Sequence, residues 1–531
     1  MSRVRVVTPA EAAVLIPNGA VVCISSSSGL HCPDTVLQAI GERFQTSGAP
    51  RDLTTYHPIA SGDMYGIAGI DHLAHPGLLR RVIAGSYPSG PSSLPSPRIW
   101  QMINDNEVEA YNIPSGILFH MLREAAARRP GVLTKVGMAT FVDPRLQGGR
   151  MNAVTTEDLV RVVEFDGDEW LYFRAISPQV AIIRGTTADE DGNISMEHEG
   201  AYLGAYDVAL AARNNHGIVI AQVKRLTSAG AQAPQTVRVP GILVDYVVVE
   251  PEQWQTTQTP YEPAISGETR RPLRQFSPVP FGPDKVIARR AALALCRDDA
   301  VNLGFGISAL VPEILLEEGL HGQVTWVIEQ GAVGGMPLTG FQFGCAVNAQ
   351  AIVASPDQFT YFHGGGFDRS LLSFMQVDRF GNVNVSRLAA RPHVTAGVGG
   401  FIDITAHAAA IVFSGYFTAG GLALELAGGK LCITKEGKVR KFTPDVEHVT
   451  FSGRRAVENG QEILYVTERC VIRLERAGLT VTEIAPGVDL DRDVLRQADV
   501  PLLVSPALRE MDARLFRPEP MGLVLASGER R

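Results

Sequence analysis

Short, unbroken apolar runs alternate with helix-patterned segments along most of this chain, and that alternation limits the fold more than any other feature. Val180–Ile183, Ile218–Val223 and Ile242–Val249 lack the polar alternation of a half-exposed strand, whereas Asp284–Leu295 carries helical periodicity. Strands that are apolar on both faces belong in parallel sheets covered by helices on each side. The expected class is therefore α/β.

The pattern runs through the chain twice. In the first half, Val21-Val22-Cys23-Ile24 leads into a Ser/Gly turn from Ser25 to Gly29, and Pro33 then opens a helix through Val36, Leu37, Ile40 and Phe44. In the second, Val301-Asn302-Leu303 leads into Gly304-Phe305-Gly306, and Pro312 opens a helix. Further on, Asp189-Glu190-Asp191-Gly192-Asn193 is answered by Asp378-Arg379-Phe380-Gly381-Asn382, and Ile218-Val219-Ile220 by Ile411-Val412-Phe413. Both Asp/Gly/Asn strings are turn formers. The spacing between paired landmarks shortens after the helices, so the first half holds an insertion around 90–165. The stretch from Pro251 to Pro283 is rich in Thr, Gln and Pro and lacks apolar periodicity, as a linker does. These landmarks predict two tandem, related open α/β domains with mostly parallel sheets, at 1–255 and 284–531, joined through 256–283. Facing sheets would enclose a cleft lined by strand ends and glycine loops.

Composition narrows the function. A chain of 531 residues with 45% apolar content buries more than one core. A formal charge of −8 and the lack of a Lys/Arg-rich run argue against a nucleic-acid partner. The six cysteines lack CxxC spacing and the 12 histidines lack ligand spacing, so neither a metal site nor a disulfide framework is expected. Met1-Ser2-Arg3 runs towards a capping box at Thr8-Pro9-Ala10-Glu11 instead of a signal-peptide apolar core. No stretch approaches the apolar length of a membrane span. The expectation is a cytoplasmic protein with no membrane association.

One carboxylate stands apart. Val324 to Ile328 is a β-branched and aromatic run, and Glu329 follows it immediately, ahead of Gly331, Gly334 and Gly335. A carboxylate at a strand exit, with glycines that let backbone approach its ligand, sits where α/β sheets place functional groups. On spacing alone, a solvated turn residue is the better reading, and the rest of the chain shifts that balance. Three more glycine-dense segments follow: Phe362-His363-Gly364-Gly365-Gly366-Phe367-Asp368, Gly381-Asn382-Val383-Asn384-Val385-Ser386 and Gly397-Val398-Gly399-Gly400-Phe401.

Together with Asn112-Ile113-Pro114, Phe141-Val142-Asp143-Pro144, Val239 to Asp245 and Pro520-Met521-Gly522-Leu523, these segments resemble the class I CoA-transferases, in the single-chain propionate/acetate branch. The resemblance covers nearly the whole chain. It implies the CoA-transferase fold and transfer of coenzyme A between a short-chain acyl-CoA and a free carboxylate. Coenzyme A would be a substrate, no cofactor would be needed, and the assembly would be a homo-oligomer, a dimer or tetramer. Glu329 matches the nucleophile of the family's E-x-G motif. A carboxylate suits the task because its attack on a thioester gives a mixed anhydride that keeps the acyl group activated. The G-x-G-G-F motif matches Gly397, Gly399, Gly400 and Phe401, whose backbone N–H groups the resemblance assigns to the oxyanion. Asn348 also matches, either to orient the glutamate or to cap a turn. Gly364, Gly365 and Gly366 would let substrate approach closely, or simply form a loop beside a helix.

The first half departs from the family. Where the family has Pro-Gln-Gly, this chain has Pro114-Ser115-Gly116, and Ser115 reaches less far than a carboxamide. Loss of one oxyanion donor costs roughly 10²–10³ in rate. Ser25 to Ser28 replace a glycine-rich turn, and Tyr87 stands where relatives carry histidine. These departures keep two alternatives open: an acyl-CoA hydrolase on the same fold, and a CoA-binding protein without turnover.

Overall fold

The computed structural model describes residues 4–528. Met1-Ser2-Arg3, which enters the capping-box reading above, lies outside them. The box itself forms as expected: Thr8 Oγ1 accepts from Glu11 N–H at 3.2 Å and Glu11 Oε2 accepts from Thr8 N–H at 2.8 Å, with Pro9 opening the helix.

The first half builds one eight-stranded sheet, parallel throughout. Its spatial order is Arg5–Val6, Tyr246–Val249, Ile218–Val223, Val180–Arg184, Val21–Ile24, Leu53–His57, Leu79–Ala84, Glu109–Asn112. The second half builds a mostly parallel ten-stranded sheet. Its central five strands run Thr325–Val327, Ala300–Leu303, Arg369–Ser373, Ala410–Ser414, Glu462–Val466, all parallel. Antiparallel strands extend it on both sides. The fold is α/β.

Period-2 alternation along these strands divides the core into three layers. Val22, Ile24, Ile182 and Ile220 face one cluster behind the first sheet, and Val301, Leu371 and Val412 face another behind the second. Between the sheets lies a third cluster fed by both halves: Cys23, Ile183 and Ala221 from the first sheet, Leu372, Ile411 and Phe413 from the second. Helices Ser115–Ala126 and Ser355–His363, one from each half, pack together inside it, with the Phe119 and Phe359 rings 5.8 Å apart.

Between Leu53–His57 and Val180–Arg184 the first half adds two strands to the sheet edge, helices Arg98–Asn104 and Ser115–Ala126, and a separate antiparallel sheet of Gly131–Thr134, Asp168–Arg174 and Val160–Phe165. The polar stretch after Pro251 is packed against the first half. Gln253, Gln255 and Thr256 are buried, and Arg184 donates to the Trp254 and Gln255 carbonyls. Among the described residues no helix is long and apolar enough to cross a membrane.

Candidate active site

Glu329 follows strand Thr325–Val327 at the tip of a tight hairpin, in which Ile328 N–H donates to Ala332 O at 2.9 Å and Gly331 N–H returns to Ile328 O at 2.9 Å. Gly331 holds φ 117°, and a Cβ there would collide with Val353 O, so only glycine closes this turn. The turn aims Glu329 at the seam between the halves. Its Oε1 accepts from Gln330 Nε2 at 3.0 Å, and the same amide nitrogen lies 3.3 Å from Ser27 Oγ of the first half.

The G-x-G-G-F turn meets Glu329 from the other side. A Cβ on Gly400 would collide with Glu329 Oε2 and lie 2.8 Å from the Phe359 ring, while the Gly400 amide stabilises the charged carboxylate. Residue 400 therefore has to be glycine. Burial raises the Glu329 pKa most, and the neighbouring charge of Asp403 adds to it; together they push it up to about 7 against those two hydrogen bonds. The residue keeps partial contact with solvent although its carboxylate is desolvated.

The first half clamps this turn. Asn112 closes the strand Glu109–Asn112; its Oδ1 accepts from Val398 N–H at 2.9 Å and its Nδ2 donates to Gly85 O at 2.7 Å and Ala84 O at 3.1 Å. Gly397, at φ 91°, passes so close to Asn112 that a Cβ would lie 2.9 Å from the carboxamide. Gly399 N–H donates to Gly85 O at 2.8 Å and Gly399 O accepts from Ser115 N–H at 2.9 Å. Its amide is thus already engaged, which leaves the Gly400 amide as the donor of this turn that faces the carboxylate. Tyr87 N–H adds a bond to Ala396 O at 2.7 Å.

Ser115 starts helix Ser115–Ala126 within this clamp, fully buried, with its hydroxyl unpartnered. Tyr87 is also fully buried; its OH donates to Tyr111 O at 2.8 Å. Asp403 lies one turn along the short helix Phe401–Thr405, fully buried, accepting from Gly116 N–H at 2.9 Å and 2.7 Å from His363 Nε2. Phe401 turns to the core and stacks on Phe413 at 6.0 Å.

The remaining sequence-selected residues have no contact with Glu329 among their closest partners. Asn348 accepts from Arg271 N–H at 2.9 Å and donates to Arg271 O at 2.8 Å, tying the polar connecting stretch to the second half. Gly364, Gly365 and Gly366 follow helix Ser355–His363, with Thr360, His407 and Tyr361 as their close neighbours. Asn112, Asp403, Gln330 and His363 were not singled out from the sequence as site residues. Asn112 and His363 lie in segments carrying the family resemblance and Asp403 lies two residues beyond one, but the partners of Asn112 and Asp403 are 286 and 287 residues distant.

Residues 6–250 match the coenzyme A transferase family. The chain is 42% identical to caffeate CoA-transferase of Acetobacterium woodii, over 99% of this chain and 100% of that protein. It is 40% identical to acetate CoA-transferase YdiF of Escherichia coli O157:H7, over 98% and 97%. The crystal structure of the YdiF apoenzyme superposes with a TM-score of 0.92, covering 99% of this chain and 98% of that one, and that of the YdiF thioester complex with CoA with 0.91 over the same shares. The chain belongs to the coenzyme A transferase family, as a single-chain class I enzyme.

Proposed function

We propose that this enzyme moves coenzyme A from an acyl-CoA to a free carboxylate by a ping-pong route through Glu329. The observation that carries the reading is the Glu329 carboxylate held against the Gly400 amide in a seam closed by both halves. The thioester complex with CoA formed by the similar YdiF supports it.

A Glu329 oxygen attacks the thioester carbonyl, and the oxyanion forms beside the Gly400 amide. Collapse breaks the C–S bond, leaving an acyl-glutamyl anhydride and CoA thiolate. The thiolate attacks the glutamyl carbonyl of the anhydride and expels the first carboxylate, giving a glutamyl-CoA thioester. The incoming carboxylate reverses the sequence. A pKa near 7 makes Glu329 more basic, and so more nucleophilic, than an exposed carboxylate, while keeping much of it ionised at neutral pH. Both intermediates hydrolyse in water, so the shared apolar layer around Phe119, Phe359 and Val398 protects them. The acceptor class, short-chain acids, follows the acetate-using relative.

Peptide mass spectrometry after mixing with a short-chain acyl-CoA and borohydride or hydroxylamine tests the relay. Modification of the peptide bearing Glu329 is expected, and acetate should discharge it to acetyl-CoA. An unmodified Glu329 across a panel of acyl-CoAs would sink the proposal.

A further inference from the structure

Lys441 is a cation for which, among the described residues, the second sheet offers no ion-pair partner. Its Nζ stands 4.2 Å from the centroid of the Phe374 ring, and Phe374 immediately follows strand Arg369–Ser373. A Cβ on Gly415, immediately after the neighbouring strand Ala410–Ser414, would come within 3.1 Å of that ammonium. The lysine backbone is fixed there, its carbonyl accepting from Val377 N–H at 2.8 Å. Lys441 thus lies over the carboxyl ends of two adjacent parallel strands, the edge at which open α/β sheets receive ligands.

Its surroundings leave the charge uncompensated. Among the described residues Lys441 has no ion-pair partner; the carboxylate that acts on it, Glu468, is fully buried and already engaged by Arg469 Nε at 2.6 Å and Phe417 N–H at 2.9 Å. Burial pushes the Lys441 pKa down to about 8, so the ammonium gains from any anion that reaches it. One residue before Gly415, the Ser414 hydroxyl is fully buried and unpartnered. On the next strand end, Ser373 Oγ donates to Phe305 O at 2.7 Å and fixes the Gly304-Phe305-Gly306 turn along the same edge.

Distance selects the ligand. Glu329 leaves the sheet at Thr325–Val327, and Ala300–Leu303 and Arg369–Ser373 stand between it and Ala410–Ser414. Two to three strand spacings put the two groups roughly 10–15 Å apart along the edge, comparable with an extended pantetheine arm. We propose that Lys441 pairs with the pyrophosphate of the CoA substrate whose sulfur is at Glu329, and that Gly415 leaves the space in which they meet. This assignment rests on the CoA-transfer reading above.

The test compares wild type with Lys441→Met and Lys441→Arg on three donors: an acyl-CoA that labels Glu329, its dephospho-CoA analogue and the matching acyl-pantetheine. Lys441→Met should raise KM at least about 10-fold for the first two donors and by no more than about 2-fold for acyl-pantetheine, and Lys441→Arg should recover most of the loss. An unchanged KM for acyl-CoA overturns the assignment. So does an equal penalty on acyl-pantetheine, which would mark a structural lysine, or a penalty that disappears with dephospho-CoA, which would move the contact to the 3′-phosphate. Wild-type protein that takes no label from any acyl-CoA would instead sink the transfer reading itself.

Discussion

The two halves build the same five-strand core and then diverge at its carboxyl edge. Tyr246–Val249, Ile218–Val223, Val180–Arg184, Val21–Ile24 and Leu53–His57 run in the same spatial order as Glu462–Val466, Ala410–Ser414, Arg369–Ser373, Ala300–Leu303 and Thr325–Val327. Even the Asp/Gly/Asn turns agree bond for bond. Asp189 Oδ1 accepts from Asn193 N–H at 2.9 Å, its Oδ2 from Asn193 Nδ2 at 2.9 Å, and Asn193 Oδ1 accepts from Gly241 N–H at 2.9 Å. In the second half Asp378, Asn382 and Gly453 repeat these contacts at 3.0, 2.9 and 2.9 Å. The difference lies in what was added. The second half carries Glu329 and the G-x-G-G-F turn, while the segment added to the first supplies Gly85, Asn112 and Ser115, which grip that turn. A duplicated scaffold has thus placed Glu329 and its glycine turn on one copy and the groups that hold that turn on the other.

The sharpest way to probe that division is Glu329→Gln. Transfer should fall by at least about 10³-fold in steady-state assays, and residual activity near wild type would end the assignment. The same variant bears on stability. The Glu329 pKa is raised from 4.5 to about 7, so its favourable contribution to folding is complete below pH 4.5 and is lost as pH rises through 7. Glu329→Gln should therefore melt above wild type at pH 8, with the gap closing towards pH 4.5.

Next comes the holding copy. Asn112→Ala removes three bonds and frees the turn, and a displacement of about 1 Å costs roughly 10²-fold in kcat/KM. Full activity with an unchanged melting point would show that the clamp is dispensable. Asp403→Asn takes away the like charge beside Glu329, so the acid limb of kcat/KM should move below pH 7; an unmoved limb would leave burial as the sole cause. The smallest effects test the sameness of the halves. Asn193→Ala and Asn382→Ala should each cost about 1–3 kcal/mol in denaturant melts, the desolvation penalty of the groups left unpaired, and markedly unequal costs would break the parallel.

How much of this was legible follows from the range of the interactions. Ile218–Val223 and the twin turns are signalled by residues close together in sequence, and the observed elements coincide with the expected ones. The run Ile242–Val249 forms a strand only from Tyr246, because a tight helical turn at Gly241–Leu243 follows Pro240. The strand Leu79–Ala84 was missed because Arg80 and Arg81 interrupt its apolar run at the outer part of the sheet. The stretch after Pro251 reads as a linker because much of what it buries is polar, Gln253, Gln255 and Thr256 among them, with side-chain contacts that periodicity does not register. Glu329 was visible through its local pattern. The roles of Asn112 and Asp403 depend on partners in the opposite half of the chain.

On the proposed route, the bonds linking Ser27, Gly85, Asn112 and Ser115 to the turns around Glu329 make the basicity of its carboxylate depend on contact between the halves. Part the halves slightly and water reaches the carboxylate, its basicity falls back towards that of an ordinary surface glutamate, and the Gly400 amide loses its register. The open enzyme is disarmed by its own hydration. If Glu329 carries the acyl group as proposed, the seam is an interlock that ties its reactivity to the compartment that would protect that group.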